Sequence, residues 1–444
     1  MVSNMGREKW SSRMGFLLAG IGSAVGLGNV WRFSYIVGQN GGGAFLIPYL
    51  ISVVLFGIPL MILEFSIGRH FKGSIVSSLK RIRKELKWVG IFVTIVSTVI
   101  LSYYLVITGW TLAFFIFTVL GTEMVFDTFT QTYFSPVFFT IVVFITSFVV
   151  ARGVRGGIER TSKIMVPALV ILLAGMVVYA LTLPKAMDGI SFYLTPDFSK
   201  LADNSVWTAA FGQAFFSLSV GSGILLTYGS YLDESVSLEI NTSIIALFDL
   251  LISFISGLVV FSIVFSFGFE PAAGPKLAFS TLPLIFVKVP YGFFLAGVFY
   301  LLLFFAALTS AISMLEVGVA VLVDEISLSR FKASSLLSGI ILVLGLPAAL
   351  SYSRMGLQLL NIPILDLLDI LFGSLSIMLT ALLISVSATW FCERRVIKNQ
   401  INKNARWKMG GVIFYLLKYL IPIALLYVLV TRIVFYLELI GYYG

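Results

Sequence analysis

Residues 15–33 read GFLLAGIGSAVGLGNVWRF, an apolar run within a stretch long enough to cross a bilayer, with Gly20, Gly22, Gly26 and Gly28 clustered in it. Glycine weakens a helix interior, and a helix broken at mid-membrane frees N–H and C=O groups that lipid cannot satisfy. Such a break is tolerable only where the freed groups line a cavity or hold a ligand. Half-helix N-termini then favour a carboxylate, and freed carbonyls favour a cation. Small residues also let helices pack closely, so glycine content alone leaves a packing motif as the alternative. A second stretch bears on the choice. Residues 209–231, AAFGQAFFSLSVGSGILLTYGSY, carry Gly221 and Gly223 in their middle.

Around these stretches the chain has the composition of a membrane protein. Of its 444 residues 59% are hydrophobic and only 11% charged, too little polar surface for a soluble fold. Apolar segments of spanning length, about 20 residues each at 1.5 Å per residue, fall roughly at 13–37, 43–69, 88–120, 134–151, 163–183, 206–232, 240–267, 290–323, 334–351, 362–392 and 412–438. The expected fold is all-α and polytopic, with about eleven transmembrane helices. The two glycine-broken spans are the first and the sixth. That is where two inverted five-helix repeats would place their leading helices, and matched interruptions of this kind point to a transporter site.

The expected organisation is a cytoplasmic segment 1–12, a first repeat 13–183 and an outer connection 184–205. A second repeat 206–392, a basic cytoplasmic connection 393–411 and a segment 412–444 holding span 11 follow. The outer connections 184–205 and 268–289 hold Pro, Asp and scattered apolar residues, which suits short capping helices. Residues 1–12 are polar and charged and the apolar run from Met14 continues into further spans, so no cleavable leader is expected. One cysteine, Cys392, and one histidine, His70, leave nothing for an internal disulfide or for a zinc or haem site.

Basic residues set the expected orientation, because Lys and Arg are retained on the cytoplasmic side. Arg7, Lys9 and Arg13 precede span 1, and Lys72, Lys80, Arg81, Arg83, Lys84 and Lys87 follow span 2. Arg152, Arg155, Arg160 and Lys163 separate spans 4 and 5, Arg330 and Lys332 follow span 8, and a basic run from Arg394 to Lys408 follows span 10. All fall on one side, which places the N-terminus inside the cell membrane and the C-terminus outside. The connection YLDESVSLEIN after span 6 breaks the pattern with carboxylates only. The net charge of +9 is therefore topological, and nucleic acid is not an expected partner.

Seven ordered motifs carry a resemblance. REKW at 7–10, AVGLGNVWRF at 24–33, NGGGAFLIPY at 40–49, GIPLMILEFSIGR at 57–69, GQAFFSLSVGSG at 212–223, LTYGSY at 226–231 and FFAALTSAIS at 304–313 closely resemble the neurotransmitter:sodium symporter family, in particular its bacterial and archaeal amino-acid transporters. The resemblance runs along nearly the whole chain. It implies a five-plus-five inverted-repeat fold and sodium-driven alternating access, without the twelfth helix found in some members.

Hard cations want oxygen ligands. In span 8, Ala306, Thr309 and Ser310 are spaced i, i+3, i+4 and share one helix face, although Thr and Ser can equally back-bond to their own helix. The resemblance assigns these three, with the carbonyls of Gly22 and Val25, to a second sodium site. It assigns the Ala24 carbonyl, Asn29, Ser217 and Asp249, completed by the substrate carboxylate, to the first. Asp249 departs from relatives that carry an amide there. A lone charge inside a span costs at least about 2.5–3.5 kcal/mol. Relatives that need chloride hold it at positions matching Tyr49, Gln213, Ser217 and Ser253, so Asp249 is read as a fixed negative charge that makes chloride unnecessary. A protonated structural Asp is the alternative.

The same resemblance outlines a substrate pocket. Gly26 matches the position where amine transporters carry an Asp, so the solute must bring its own carboxylate, which implies an α-amino acid. Tyr104 is expected to bond that carboxylate and Phe216 to close over the substrate, although without the resemblance aromatic core packing would be the first reading of both; Ile100, Ser219, Ser222, Leu225, Ser310 and Met314 are expected to surround its side chain, with Ala24 and Ser217 alongside. Relatives selective for small aliphatic amino acids carry Phe in place of Ser222, so larger hydrophobic or aromatic substrates are expected. Arg32 with Asp369 matches an outer gating pair and Arg7 with Asp324 an inner one, with Trp10 and Tyr231 in the inner closure. For Arg7, ordinary positive-inside topology is an equal alternative. Glu64 and Glu316 are intramembrane carboxylates that either bond freed backbone N–H groups or carry a returning proton. A proton-coupled or organic-amine carrier on the same fold is the competing reading, and a channel or sensor the reading from another class. With no nucleophile–base motif, an enzyme is not expected.

Overall fold

The computed structural model describes residues 7–122, 124–268, 279, 286, 291–406, 408 and 410–443. Nine helices in it are long and apolar enough to cross a membrane: Gly43–Phe71, Lys84–Val119, Phe134–Ala151, Val154–Ala180, Leu238–Ser266, Gly292–Ile326, Arg330–Ser351, Ile364–Phe391 and Gly411–Tyr436. They are spans 2 to 5 and 7 to 11. Span 1 is the bent pair Arg13–Ala24 and Gly28–Gln39, with 52° between its halves. Span 6 is a pair of half-helices, Asn204–Ser217 and Ile224–Ser230, joined by non-helical chain. The interruptions expected at spans 1 and 6 are thus present, and the packing alternative does not account for them.

Three starts move. Span 3 starts at Lys84, span 5 at Val154 and span 9 at Arg330, several residues before their apolar runs. Their N-terminal stretches carry Lys84 and Lys87, Arg155, Arg160 and Lys163, and Arg330 and Lys332. Long basic side chains lay apolar stems along the helix while their heads reach water, so charge did not end these helices. The outer connection 184–205 forms two short helices, Ala186–Leu194 and Phe198–Ala202. The capping helices expected in 268–289 fall almost wholly outside the described residues. Between spans 9 and 10 a short antiparallel pair sets Gln358 against Pro363 and Leu359 against Ile362.

The connections rich in Lys and Arg share one face. Arg7 pairs with Asp324, Arg330 with Glu8, Lys80 with Glu325 and Lys403 with Glu234, and each pair joins two of these connections or adjacent helix ends. The acidic connection after span 6 fits here too. Glu234 takes Lys403, which holds its carboxyl below the usual range, and Glu239 accepts the Arg406 N–H at 3.0 Å. Two of its carboxylates thus meet the basic span 10–11 connection.

Candidate ion and substrate sites

In span 1 the helix ends at Ala24, and a π-type turn resumes at Gly28 and carries Asn29 and Arg32. In span 6, Ser219, Gly221 and Gly223 take φ of +55°, +83° and +77°, which turns the chain out of the helix. A Cβ on Gly221 would lie 2.8 Å from both Ala381 Cβ and the Ile377 carbonyl oxygen, so glycine is required there twice over. The Gly221 N–H freed by the break donates to Glu64 Oε1 at 2.7 Å, with Glu64 fully buried. Of the two roles open to Glu64, this contact fits the first. Glu316 is placed differently: it accepts the Tyr231 hydroxyl at 2.6 Å and pairs with Arg330.

Around Ser310 the oxygens converge. Its Oγ lies 3.3 Å from the carbonyl oxygens of Gly22, Val25 and Ala306, and 3.4 Å from that of Ser23. Thr309 Oγ1 lies 3.1 Å from the same Ala306 oxygen. One hydroxyl has a single hydrogen to give, and the Ser23 oxygen already accepts the Ser219 hydroxyl at 2.7 Å, so the carbonyls of Gly22, Val25 and Ala306 leave an excess of negative dipole that suits a hard cation. All five residues named for the second sodium site are brought together.

The other group is built on Asn29. Its amide nitrogen lies 2.9 Å from Ser217 Oγ, 2.6 Å from Asp249 Oδ1 and 2.8 Å from Ser253 Oγ. Ser217 Oγ donates to the Asp249 carboxylate at 2.8 Å. Asn29, Ser217, Asp249 and Ser253 are all buried. The Asn29 oxygen, expected as an ion ligand, accepts the Gly26 N–H at 2.9 Å and keeps one lone pair free. Tyr49 faces Ser217, Ser253 and Asp249. Gln213 donates to the Gly28 carbonyl at 3.0 Å. Among the described residues neither the Tyr49 hydroxyl nor Gln213 Oε1 has a well-formed hydrogen bond.

Between the two groups lies a cavity of about 50 Å³ lined by Ala24, Gly26, Asn29, Ile100, Tyr104, Phe216, Ser217, Ser219, Ser222, Ser310 and Met314. Leu225, expected in the pocket, is buried away from it, and its neighbour Ile224, the first residue of the half-helix, faces the cavity instead. Ser97, Val220 and Ile377 also line it and were not anticipated. A Cβ on Gly26 would sit 2.8 Å from Ser310 Oγ and 2.9 Å from the Tyr104 hydroxyl. The space a side chain would need at position 26 is already taken. Ser222 Oγ donates to the Ser219 carbonyl at 2.6 Å, tying down the unwound segment.

Phe216 and Tyr104 line both this cavity and an outer one of about 150 Å³ that reaches Arg32 and Asp369. The Arg32 guanidinium lies 4.2 Å from the Phe216 ring centre, while Tyr103 donates to Asp369 at 3.0 Å. Among the described residues Arg32 and Asp369 form no ion pair with each other. The inner pair is made: Arg7 contacts both Asp324 oxygens at 2.6 Å and its ring neighbour is Tyr231, 5.0 Å away. Trp10 is buried beside it and donates to the Tyr228 carbonyl at 3.1 Å. Arg7 is thus paired with its expected partner and Arg32, among the described residues, is not. Tyr103 was not foreseen as a partner of Asp369; its position next to Tyr104, turned about 100° around the helix, is the only signal the sequence held.

Comparison with known proteins bears on what this arrangement is. Residues 7–140 and 137–443 match the sequence pattern of the sodium:neurotransmitter symporter family. The chain belongs to that family. Its members are transporters, and this chain is a multi-pass membrane transporter with the family's inverted-repeat fold. It is 36% identical to a protein of Methanocaldococcus jannaschii described as an uncharacterized sodium-dependent transporter, across 96% of this chain and 90% of that one. A Bacillus subtilis protein with the same description is 34% identical, across 96% and 97%. The Drosophila melanogaster sodium-dependent serotonin transporter is 28% identical, across 99% and 78%. Among solved structures, MhsT in complex with L-phenylalanine superposes with a TM-score of 0.88 at 36% identity, covering 96% of this chain and all of that one.

Proposed function

We propose that this family member is a sodium-coupled symporter of neutral, hydrophobic or aromatic amino acids that works by alternating access in the cell membrane, N-terminus inside. The observation that carries the reading is the set of carbonyls around Ser310, whose acceptor excess matches a cation beside a cavity that has no carboxylate at position 26. Two sodium ions are assigned: one to Gly22, Val25, Ala306, Thr309 and Ser310, the other to Ala24, Asn29, Ser217 and Asp249. The solute carboxylate lies against Tyr104 and the second of these ions. Asp249 replaces chloride. That a solved relative was crystallised with L-phenylalanine, and that Ser222 rather than a bulky residue borders the cavity, support a large apolar side chain.

Transport then follows from the two closures. Outside solute enters past Arg32 and Asp369, Phe216 closes over it, and the Arg7–Asp324 pair parts to release it inside. The Arg7 and Asp324 side chains stay 19% and 18% exposed, so water reaches both charges as the pair parts. The test is uptake of radiolabelled amino acids into proteoliposomes holding the purified chain. An inward sodium gradient should drive accumulation of phenylalanine or leucine, and an imposed proton gradient should not. Uptake driven by protons alone, or accumulation of organic amines in place of amino acids, would overturn the reading, as would single-channel currents.

A further inference from the structure

Two carboxylates on the inner face have no part in the sites described above, and they are placed reciprocally. Glu159 lies in the first turns of span 5, its side chain 2% exposed. It accepts the Ser11 N–H at 2.8 Å and the Ser11 hydroxyl, just before the helix start at Arg13, with the Ser12 hydroxyl 3.4 Å away and the Lys163 ammonium at 2.6 Å. Glu8 does the reverse. It lies in the segment leading into span 1 and accepts the N–H of Val154, the first residue of span 5, while pairing with Arg330 at 3.2 Å. Each helix start thus receives a carboxylate from the other's segment, where an anion meets unpaired N–H groups and the positive end of the helix dipole. The Lys9 carbonyl accepts from Arg155 at 2.9 Å and lies along the same seam.

Two glycines record the fit. A Cβ on Gly15 would lie 2.0 Å from Glu159 Oε1, and its three nearest neighbours are all atoms of that one side chain. A Cβ on Gly153, at φ +87°, would meet both Glu8 oxygens at 3.1 Å. Gly15 thus keeps open the space that Glu159 fills.

We propose that Glu8 and Glu159 form a reciprocal clasp that holds the inner end of span 1 on span 5, and that it must release for the inner side to open. It is a positioning device, separate from the Arg7–Asp324 pair, and it rests on the alternating-access reading. Span 1 supplies carbonyls to the proposed ion site, so the clasp sets how readily that helix end leaves.

The test uses the full chain with Cys392→Ala and Ser313→Cys. Ser313 is buried in span 8 next to the Tyr228 hydroxyl, behind the inner closure. The rate at which a maleimide reaches Cys at 313 reports inner opening. Glu8→Ala and Glu159→Ala should each speed labelling without sodium roughly five- to tenfold, the worth of a lost helix cap, and sodium should slow it again. Gly15→Ala should act like Glu159→Ala, yet add nothing in the Glu159→Ala background. Sodium protection of the parent with unchanged rates in all three variants would overturn the clasp and leave symport standing. Additive effects of Gly15→Ala and Glu159→Ala would overturn it too, since the glycine would then serve something else. A parent that sodium does not protect would overturn the alternating-access reading beneath it.

Discussion

Replacing Asp249 with Asn separates the two readings of that residue. Asp249 Oδ1 lies 2.8 Å from Ser217 Oγ and 2.6 Å from the Asn29 amide, so an ion bound by Ser217 and Asn29 has the carboxylate as an immediate neighbour. Opposite unit charges about 4 Å apart at an effective dielectric constant of about 20 attract by about 4 kcal/mol. Losing that attraction corresponds to a sodium affinity weaker by up to about a thousandfold. Asp249→Asn also removes the negative charge and releases the Ser217 hydroxyl, so that Ser217 can join the Ser253 and Tyr49 hydroxyls in donating to an anion. The variant should therefore bind sodium poorly in gluconate and regain most of its affinity in chloride, while the parent behaves alike in both. The assay is sodium titration of labelled amino-acid binding to purified protein in each salt. A parent that loses binding without chloride would refute the fixed-charge argument. So would a variant whose sodium affinity in gluconate equals the parent's, the outcome expected of a neutral, structural Asp249.

Ser222→Phe should move preference towards small aliphatic amino acids by at least about fivefold in competition, since excess bulk in a packed site costs about 1–3 kcal/mol; an unchanged competition profile would count against the pocket assignment. Gly26→Ala drives a methyl against Ser310 Oγ and the Tyr104 hydroxyl and should weaken amino-acid binding by about fivefold or more on the same scale, read by scintillation proximity, whereas parent-like binding would mean that these two groups do not face the solute. Gly221→Ala combines a left-handed backbone cost of about 1–2 kcal/mol with a 2.8 Å clash, and should lower the thermal midpoint in detergent by several degrees; an unchanged midpoint would show that the unwound segment yields freely.

The nine unbroken spans, the broken first and sixth helices and most of the cavity lining were legible because each leaves a mark in residue type. Glycines at 26, 221 and 223 coincide with close approaches or left-handed backbone, and the i, i+3, i+4 oxygens of Ala306, Thr309 and Ser310 come to one place because a helix brings them there. What was not legible depended on angles around a helix or on partners distant in sequence. Leu225 and Ile224 are both apolar, and only the exact start of the half-helix decides which one faces the cavity. Tyr103 and Tyr104 are adjacent, yet one bonds Asp369 and the other approaches Gly26. The acidic loop after span 6 looked anomalous until its partners, more than 160 residues away, were beside it.

Ser310 suggests how ion and solute become coupled. It lines the cavity, it would touch any side chain at Gly26, and it faces carbonyls from both span 1 and its own span 8. On the proposed reading an ion there bridges the two spans and also holds the wall of the solute pocket in place. Parting span 1 from its neighbours on the inner side would take the Gly22 and Val25 carbonyls away from Ser310, so the ion binds the closed arrangement better than the open one. A ligand shifts an equilibrium only by that difference in affinity. Glu8 and Glu159 act on the same helix without touching the ion, and set the starting population on which sodium works. Weakening the clasp should therefore raise the sodium concentration needed for half-maximal protection at position 313, although no ion ligand has changed. Weakening an ion ligand such as Thr309 should raise it too, but without the faster labelling in the absence of sodium that marks the clasp. This difference distinguishes a lock on the helix from a ligand of the ion.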